Sequence, residues 1–283
     1  MTPLREAMIT AMRMRGFSER THQSYLAAVT DLARYTRRPP DRLTPSQVNG
    51  YFEYLVTERE LAPASCRLFF NGIRFLYVTV LHWPTTDLSI ALPKRPQRIP
   101  QLLTRSEVAR ILAASGTPRN RMLLTLCYGC GLRLSELLAV KVSDIDGERN
   151  WLRVEQGKGA KDRLLPLSET LLEQLRAYWR LYRPWHALFS GRVPGQSLCP
   201  TSVQKVYTRA KCRTGVTKIG GIHSLRHAYA SHLLEAGLAV HRLQRLMGHQ
   251  NLQSTLRYVH WVPRYREGEG DLDLIAKLEV GHD

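Results

Sequence analysis

A mainly α-helical chain with one small antiparallel β-sheet, divided into an all-helical first part and an α+β second part, is the fold class that the sequence predicts. Three observations predict it. Apolar residues recur at helical spacing, behind recognisable cap residues, through both halves of the 283-residue chain. One pair of strand-like segments, Trp151 to Glu155 and Arg163 to Leu167, brackets a Gly157-Lys158-Gly159 turn and reads as a β-hairpin. Between the halves, Leu92-Pro-Lys-Arg-Pro-Gln-Arg-Ile-Pro-Gln101 holds three prolines and three cations without an amphipathic period. Proline removes backbone donors and disfavours helix in the residue before it, so this strap should be extended.

The elements follow in order. Met1 to Gly16 is broken up by Arg and Glu and reads neither as a signal peptide nor as a membrane span. Ser18 caps a helix whose face is Tyr25, Leu26, Val29, Leu32 and Ala33. Thr44-Pro45-Ser46-Gln47 has the cap, first-turn proline and third-position Gln of a helix start, and Val48, Phe52, Leu55 and Val56 continue it. Ala64 to Leu81 carries Leu68, Phe69, Ile73, Phe75, Leu76 and Val80, a wide apolar face expected to form core. Residues 1–91 therefore read as a small helical domain, 92–101 as a basic linker and 102–263 as a second domain. In that second domain Thr104-Arg-Ser-Glu107 is a capping box opening a helix that ends near Ala114, and Met122 to Cys130 is a buried helix. After the hairpin, helices are expected at Ser168 to Tyr182, Ser202 to Lys211, Ser224 to Glu235 and Val240 to Met247. The tail, 264–283, is polar at first and then offers Leu272, Leu274, Ile275 and Leu278, a short helix that needs a surface to bury against.

Composition narrows the function. Hydrophobic residues make up 43%, ample for a packed core, while 41 Lys and Arg stand against 24 Asp and Glu, a net charge of +17. Such an excess implies a polyanionic partner, with nucleic acid the first candidate and an anionic membrane surface the second. No long apolar run favours membrane anchoring, and a cytoplasmic location is the default expectation. The five cysteines are odd in number and scattered, unlike a secreted disulfide framework. Cys127 and Cys130 have metal-like spacing but lie in an apolar run with no second pair, so they are expected to be buried structural thiols.

Four pieces of the second domain carry chemistry: Gly131-Leu132-Arg133-Leu134-Ser135-Glu136; Gly157-Lys158-Gly159 with Lys161 and Arg163 behind it; His223-Ser224-Leu225-Arg226-His227; and Leu246-Met247-Gly248-His249 followed by Tyr258. Each alone is weak, since Gly-Lys-Gly is a common turn and His-x-x-Arg arises by chance. Together, in this order and spacing, they resemble the tyrosine recombinase (phage integrase) family over nearly the whole chain. The resemblance implies an all-helical core-binding domain of the SAM-like kind followed by an α+β catalytic domain. It implies Tyr258 as nucleophile, Arg133 and Arg226 as the paired phosphate-binding arginines, and Lys158 as general acid. His223 would take the proton-transfer role beside the phosphate, His249 would donate to the phosphate, and Glu136 would orient its neighbours.

Elementary chemistry agrees with that assignment. Attack on a phosphodiester builds negative charge on the non-bridging oxygens, and guanidinium offers a planar fork that stays protonated. A phenol titrates near pH 10, so the nucleophile needs help from its surroundings. The expected product is a covalent 3′-phosphotyrosine with a free 5′ hydroxyl, which stores the phosphoester energy and needs neither ATP nor metal. Consistently, the sequence has no nucleotide-phosphate loop and no carboxylate cluster of the two-metal kind, and His227 and His232 are five apart, unlike a zinc-protease helix. Double-stranded DNA is the expected partner, with Lys94, Arg95 and Arg98 of the strap and Lys161 and Arg163 as further DNA contacts. The resemblance implies a homotetramer in the synaptic complex with the tail docking on a neighbouring protomer, the alternative being that the tail folds back on its own catalytic domain.

Ala228 stands where the family usually has Thr or Ser, and Val259 where Thr often follows the nucleophile. Both lie outside the reacting set. The lack of a preceding arm-binding domain and the short interval from Lys158 to His223 favour an Xer-like or transposon-associated integrase over the larger phage and integron enzymes. Two rival functions remain open at this stage: a non-cleaving DNA-binding relative, and a relaxing topoisomerase of type IB.

Overall fold

The structure is a computed structural model that describes residues 2–88, 100–155, 162–191, 196–262, 265 and 273–279. It divides into two compact units, Met1–Arg98 and Ile99–Asp283.

The first unit is helical throughout its described part. α1 (Pro3–Met14), which the sequence reading left unassigned, buries Met8 and Met12, one turn apart on one face. α2 (Glu19–Thr36) starts where Ser18 accepts a bond from the Thr21 N–H. α3 (Pro45–Thr57) opens with both bonds of the Thr44–Gln47 capping box. α4 (Pro63–Arg74) runs into a wider π-turn segment over Phe75–Val80, where a single regular helix was expected. Phe75, Leu76 and Tyr77 are all buried there. The wider turn rotates successive residues less, so three neighbours in sequence can face one core. Leu32, Tyr51, Phe52, Leu55, Ile73 and Leu76 form the centre of that core. Its polar atoms are matched: the Tyr51 hydroxyl donates to Asp31 (2.6 Å) and the Tyr77 hydroxyl to the Pro40 carbonyl (2.7 Å).

The second unit begins with α5 (Arg105–Ala113), capped by Thr104 and Glu107 as predicted. α6 (Pro118–Gly129) is buried from Met122 through Tyr128, and Cys127 and Cys130 are free thiols inside the core, pushed by burial up to about 12. α7 (Leu134–Ala139) follows. The three strands β1 (Ile145–Asp146), β2 (Trp151–Val154) and β3 (Arg163–Pro166) are antiparallel in that order, with Leu152 opposite Leu165. Alternate residues of β2 point inward, as a half-buried strand requires. The hairpin tip, with Lys158 and Lys161, lies outside the described residues, as does the strap with Lys94, Arg95 and Arg98.

α8 (Glu169–Tyr182), α9 (Pro200–Arg213), α10 (His223–Glu235), α11 (Val240–Met247), α12 (Gln253–Trp261) and α13 (Ala276–Glu279) complete the unit. α10 is its axis. It touches α5, α6, α11 and α12, and nearly every residue from Leu225 to Leu234 is buried. Two features here go beyond the expected elements. Tyr258 sits on a helix, α12, that the sequence reading did not assign. The described part of the tail packs within its own unit: Leu274 and Ile275 enter the core, and Asp273 accepts a bond from the Thr170 hydroxyl at 2.9 Å. Among the described residues no helix is long and apolar enough to cross a membrane.

One glycine sets the path from α6 into α7. Gly131 has φ +57°, and a Cβ there would overlap the Tyr229 ring. Only glycine lets the chain leave α6 this close to α10 and deliver Arg133 to the start of α7.

Candidate active site

Arg133 occupies the cap position of α7, and Glu136 sits three residues into that helix. Each places the other. A Glu136 oxygen accepts the Arg133 backbone N–H at 2.8 Å, and the second accepts its guanidinium at 2.6 Å. From β3, Arg163 adds a two-pronged pair to the same carboxylate at 2.9 and 2.8 Å. Arg226 approaches from α10 at 3.7 Å. The Glu136 carboxylate is buried, which alone would raise its pKa. The bonds from Arg163 and Arg133 outweigh that and hold the carboxyl down at about 2.

The arginines are braced in turn by backbone carbonyls. Arg133 donates to the Gly248 carbonyl at 3.0 Å, Arg163 to that of Leu246 at 3.0 Å, and Arg226 to those of Met247 (2.6 Å) and Gly131. The last turn of α11 is thus a rack of acceptors. It ends in Gly248, with φ +60°, where a Cβ would crowd the Arg163 guanidinium at 3.0 Å. Burial, then the like charge of Arg133, lowers Arg226 to about 10, which leaves it charged at neutral pH.

His249 follows this turn. Its Nδ1 lies 2.8 Å from the Thr255 hydroxyl and its Nε2 3.3 Å from Arg226. Burial and then the cations Arg226 and Arg133 hold it at about 4, a neutral ring. Arginine only donates, so Nε2 accepts and Nδ1 carries the proton. Its ring lies parallel to that of Tyr258, 7° between planes. Tyr258 is 3% exposed, and its hydroxyl is 2.9 Å from Nδ1 of His227. Burial raises the phenol pKa, while Arg226, Arg257 and Arg133 pull against it. His223 opens α10 on the exposed side, one turn before His227, with its pKa lowered by desolvation and then by Arg226 and Arg133.

Five of the expected reacting residues, Arg133, His223, Arg226, His249 and Tyr258, therefore meet with Glu136 in one region of the second unit. Lys158, Lys161 and the strap cations are outside the described residues. Arg163, expected to contact DNA, is instead mostly buried and committed to Glu136 and Leu246. His227 and Thr255 carried no assigned role in the sequence reading. The signal for His227 was its position one turn after His223, on the same helix face. His232 is different: both its nitrogens are taken, by the Tyr128 hydroxyl and the Leu103 carbonyl, each at 2.9 Å, so it is structural.

Comparison with known proteins matches residues 101–263 to the phage integrase family and residues 4–87 to the N-terminal SAM-like domain of phage integrases. The chain belongs to the phage integrase family of tyrosine recombinases. The integrase/recombinase y4qK of Sinorhizobium fredii is 41% identical over 261 residues, 92% of this chain and 84% of that protein. A tyrosine recombinase of Pseudothermotoga lettingae is 34% identical over 218 residues, 76% of this chain and 72% of its own. Among solved structures, a lambda integrase fragment (residues 75–356), a dimer bound to a COC′ core site, shares the fold. Its TM-score is 0.72 at 20% identity, over 89% of this chain and 95% of that one.

In this integrase-family site Glu136 should behave as a pH-dependent keystone. Its folded pKa, about 2, lies below the unfolded value of about 4.3. The stabilisation is therefore fully present above the unfolded value and is lost as pH falls towards the folded one. Glu136→Gln leaves buried arginines without their counter-ion and should cost about 3–5 kcal/mol at pH 7. In urea unfolding the gap to wild type should narrow steadily between about pH 4.5 and 2. A gap that is small at neutral pH, or constant across that range, would show that the carboxylate is not what holds the arginines.

Proposed function

We propose that this integrase-family protein is a site-specific DNA recombinase that cuts and rejoins strands through a covalent 3′-phosphotyrosine on Tyr258. The observation that carries the reading is the convergence of Tyr258 with Arg133 and Arg226, drawn from α12, α7 and α10, around one buried carboxylate. A scissile phosphate seated on the two guanidiniums would have its developing charge met by donors already fixed by Glu136 and by backbone carbonyls, so little reorganisation is required during reaction. His223, on the exposed side, contacts the phosphate from α10. His249 donates to it once the Thr255 hydroxyl, able to give or accept, reverses its bond and moves the ring proton to Nε2. Lys158 protonates the leaving 5′ oxygen. The phosphotyrosine conserves the energy of the broken bond, and a 5′ hydroxyl reverses the step. No ATP or metal enters this scheme.

The test is a nicked suicide duplex built on the recombination site, itself obtained by selection from random DNA. Wild type should accumulate a covalent adduct in excess chelator. Tyr258→Phe should bind the duplex equally well and form none. An adduct with the Phe variant would move the nucleophile elsewhere, and abolition by chelator with rescue by magnesium would favour a nuclease mechanism.

Double-stranded DNA is the proposed partner, supported by the net charge of +17 and by the three strap cations. Each neutralised phosphate releases counterions, so affinity should fall steeply with salt. Replacing Lys94, Arg95 and Arg98 by Ala should flatten the plot of log affinity against log salt. An unchanged slope would mean that the strap does not contact the backbone.

Recombination between two sites further calls for four protomers, and a homotetramer on paired sites is the proposed assembly. A ring of heterologous contacts is the closed form this takes. Sedimentation with full-site DNA should give complexes of two protomers per site and four per paired site. Only unpaired sites at saturation would count against it.

A further inference from the structure

We propose that His227 is a further catalytic residue of the cleavage step, the group that takes the phenolic proton of Tyr258. This rests on the reading of Tyr258 as nucleophile. Nδ1 of His227 is 2.9 Å from the Tyr258 oxygen, within direct transfer distance. With Tyr258 only 3% exposed, bulk water is poorly placed to receive the proton. A phenol donates more readily than it accepts, so the O–H points at Nδ1 and the oxygen lone pairs are left for phosphorus.

The pair is held on both sides. The Trp261 ring stands edge-on to both, 5.8 Å from His227 and 5.0 Å from Tyr258 between centroids. His227 follows Arg226 directly on α10, so the helix that fixes a phosphate-binding guanidinium also fixes the proton acceptor.

The charged groups facing His227 are His223 and Arg226 of α10 and Arg257 of α12. Burial, then these neighbours, keep the ring neutral in the DNA-free protein, and only a neutral ring has a lone pair to offer. A bound phosphate brings negative charge against the same cations, and its charge grows as the new bond forms. The basicity of His227 therefore rises when it is needed. In the step, the Tyr258 O–H bond breaks and an Nδ1–H bond forms. The phenol oxygen bonds to phosphorus, the bond from phosphorus to the 5′ oxygen breaks, and that oxygen takes its proton from Lys158. On religation His227 returns the proton to the phenol. His223 is then left to contact the phosphate, and among the described residues the phenol's hydrogen-bond partner is His227, not His223.

His227→Asn keeps an acceptor near the position of Nδ1 but cannot hold a proton. Single-turnover cleavage of the suicide duplex by this variant should slow by on the order of 100-fold or more, with DNA affinity unchanged. The wild-type rate should fall with acidification as the base protonates, and the variant should lose that limb of the profile. Cleavage by His227→Asn within threefold of wild type overturns the proposal, and so does a slowed variant with the wild-type pH profile, which would mean positioning alone. A wild-type rate that stays level on acidification also overturns it, whether or not the variants fold. Tyr258→Phe run in parallel separates the two readings. An adduct with Phe removes the nucleophile assignment itself, whereas no adduct with Phe and normal cleavage by Asn removes only the role of His227.

Discussion

Three guanidiniums cannot share a small buried volume unless something negative stands among them, and here that something is the Glu136 carboxylate. It caps the backbone of Arg133, pairs two-pronged with Arg163 and neighbours Arg226. A buried ion pair is a poor source of net stability, because desolvation offsets much of the attraction. What it supplies is geometry. Removing the carboxylate leaves charges that repel one another in a medium that screens them weakly, and the arginine cluster opens with them. The carbonyls from Leu246 to Gly248 depend on the same arrangement, since they have cations to accept from only while the arginines stay in place.

Local signals in the sequence were reliable wherever a local interaction decides the structure. Thr44 with Gln47 and Thr104 with Glu107 close their capping boxes, Ser18 caps as expected, and Ser168, where a helix was expected to start, caps α8. The strands around the hairpin were legible from alternation. The unassigned elements lack such marks. α1 has no side-chain cap bond, and α12 begins at Leu252 without one. α7 is six residues long, and its cap is an arginine, a residue type that does not mark a helix start. The resemblance to the integrase family named the residue types and order of the site. It left unsaid which residue holds which: Arg163 reads as one more surface cation until its partner, 27 positions away, is known. The same is true of His227, whose phenol partner lies 31 positions on.

The histidines show how environment divides one residue type into different tasks. His232 has both nitrogens occupied inside the core and is a strut between α10 and the segment before α5. His249 shares its two nitrogens between a hydroxyl and a guanidinium, and the hydroxyl can reverse its role. His227 faces the phenol, and His223 faces outward. All but His249 are on one helix, and increasing depth of burial from His223 through His227 to His232 sorts them.

The bracing of Arg133 by the Gly248 carbonyl joins positions 115 residues apart. Contacts of such long range are slow to form, because the intervening chain must be ordered first. They also impose a sequence in time on a chain leaving the ribosome. A nascent protein that has released Glu136 and Arg163, but not yet α11, holds its cations without the carbonyls that steady them. Once α11 has emerged, the arginines can be braced while Tyr258 is still to come. The order of the chain therefore completes the braced arginine cluster before it supplies the tyrosine that lies beside it.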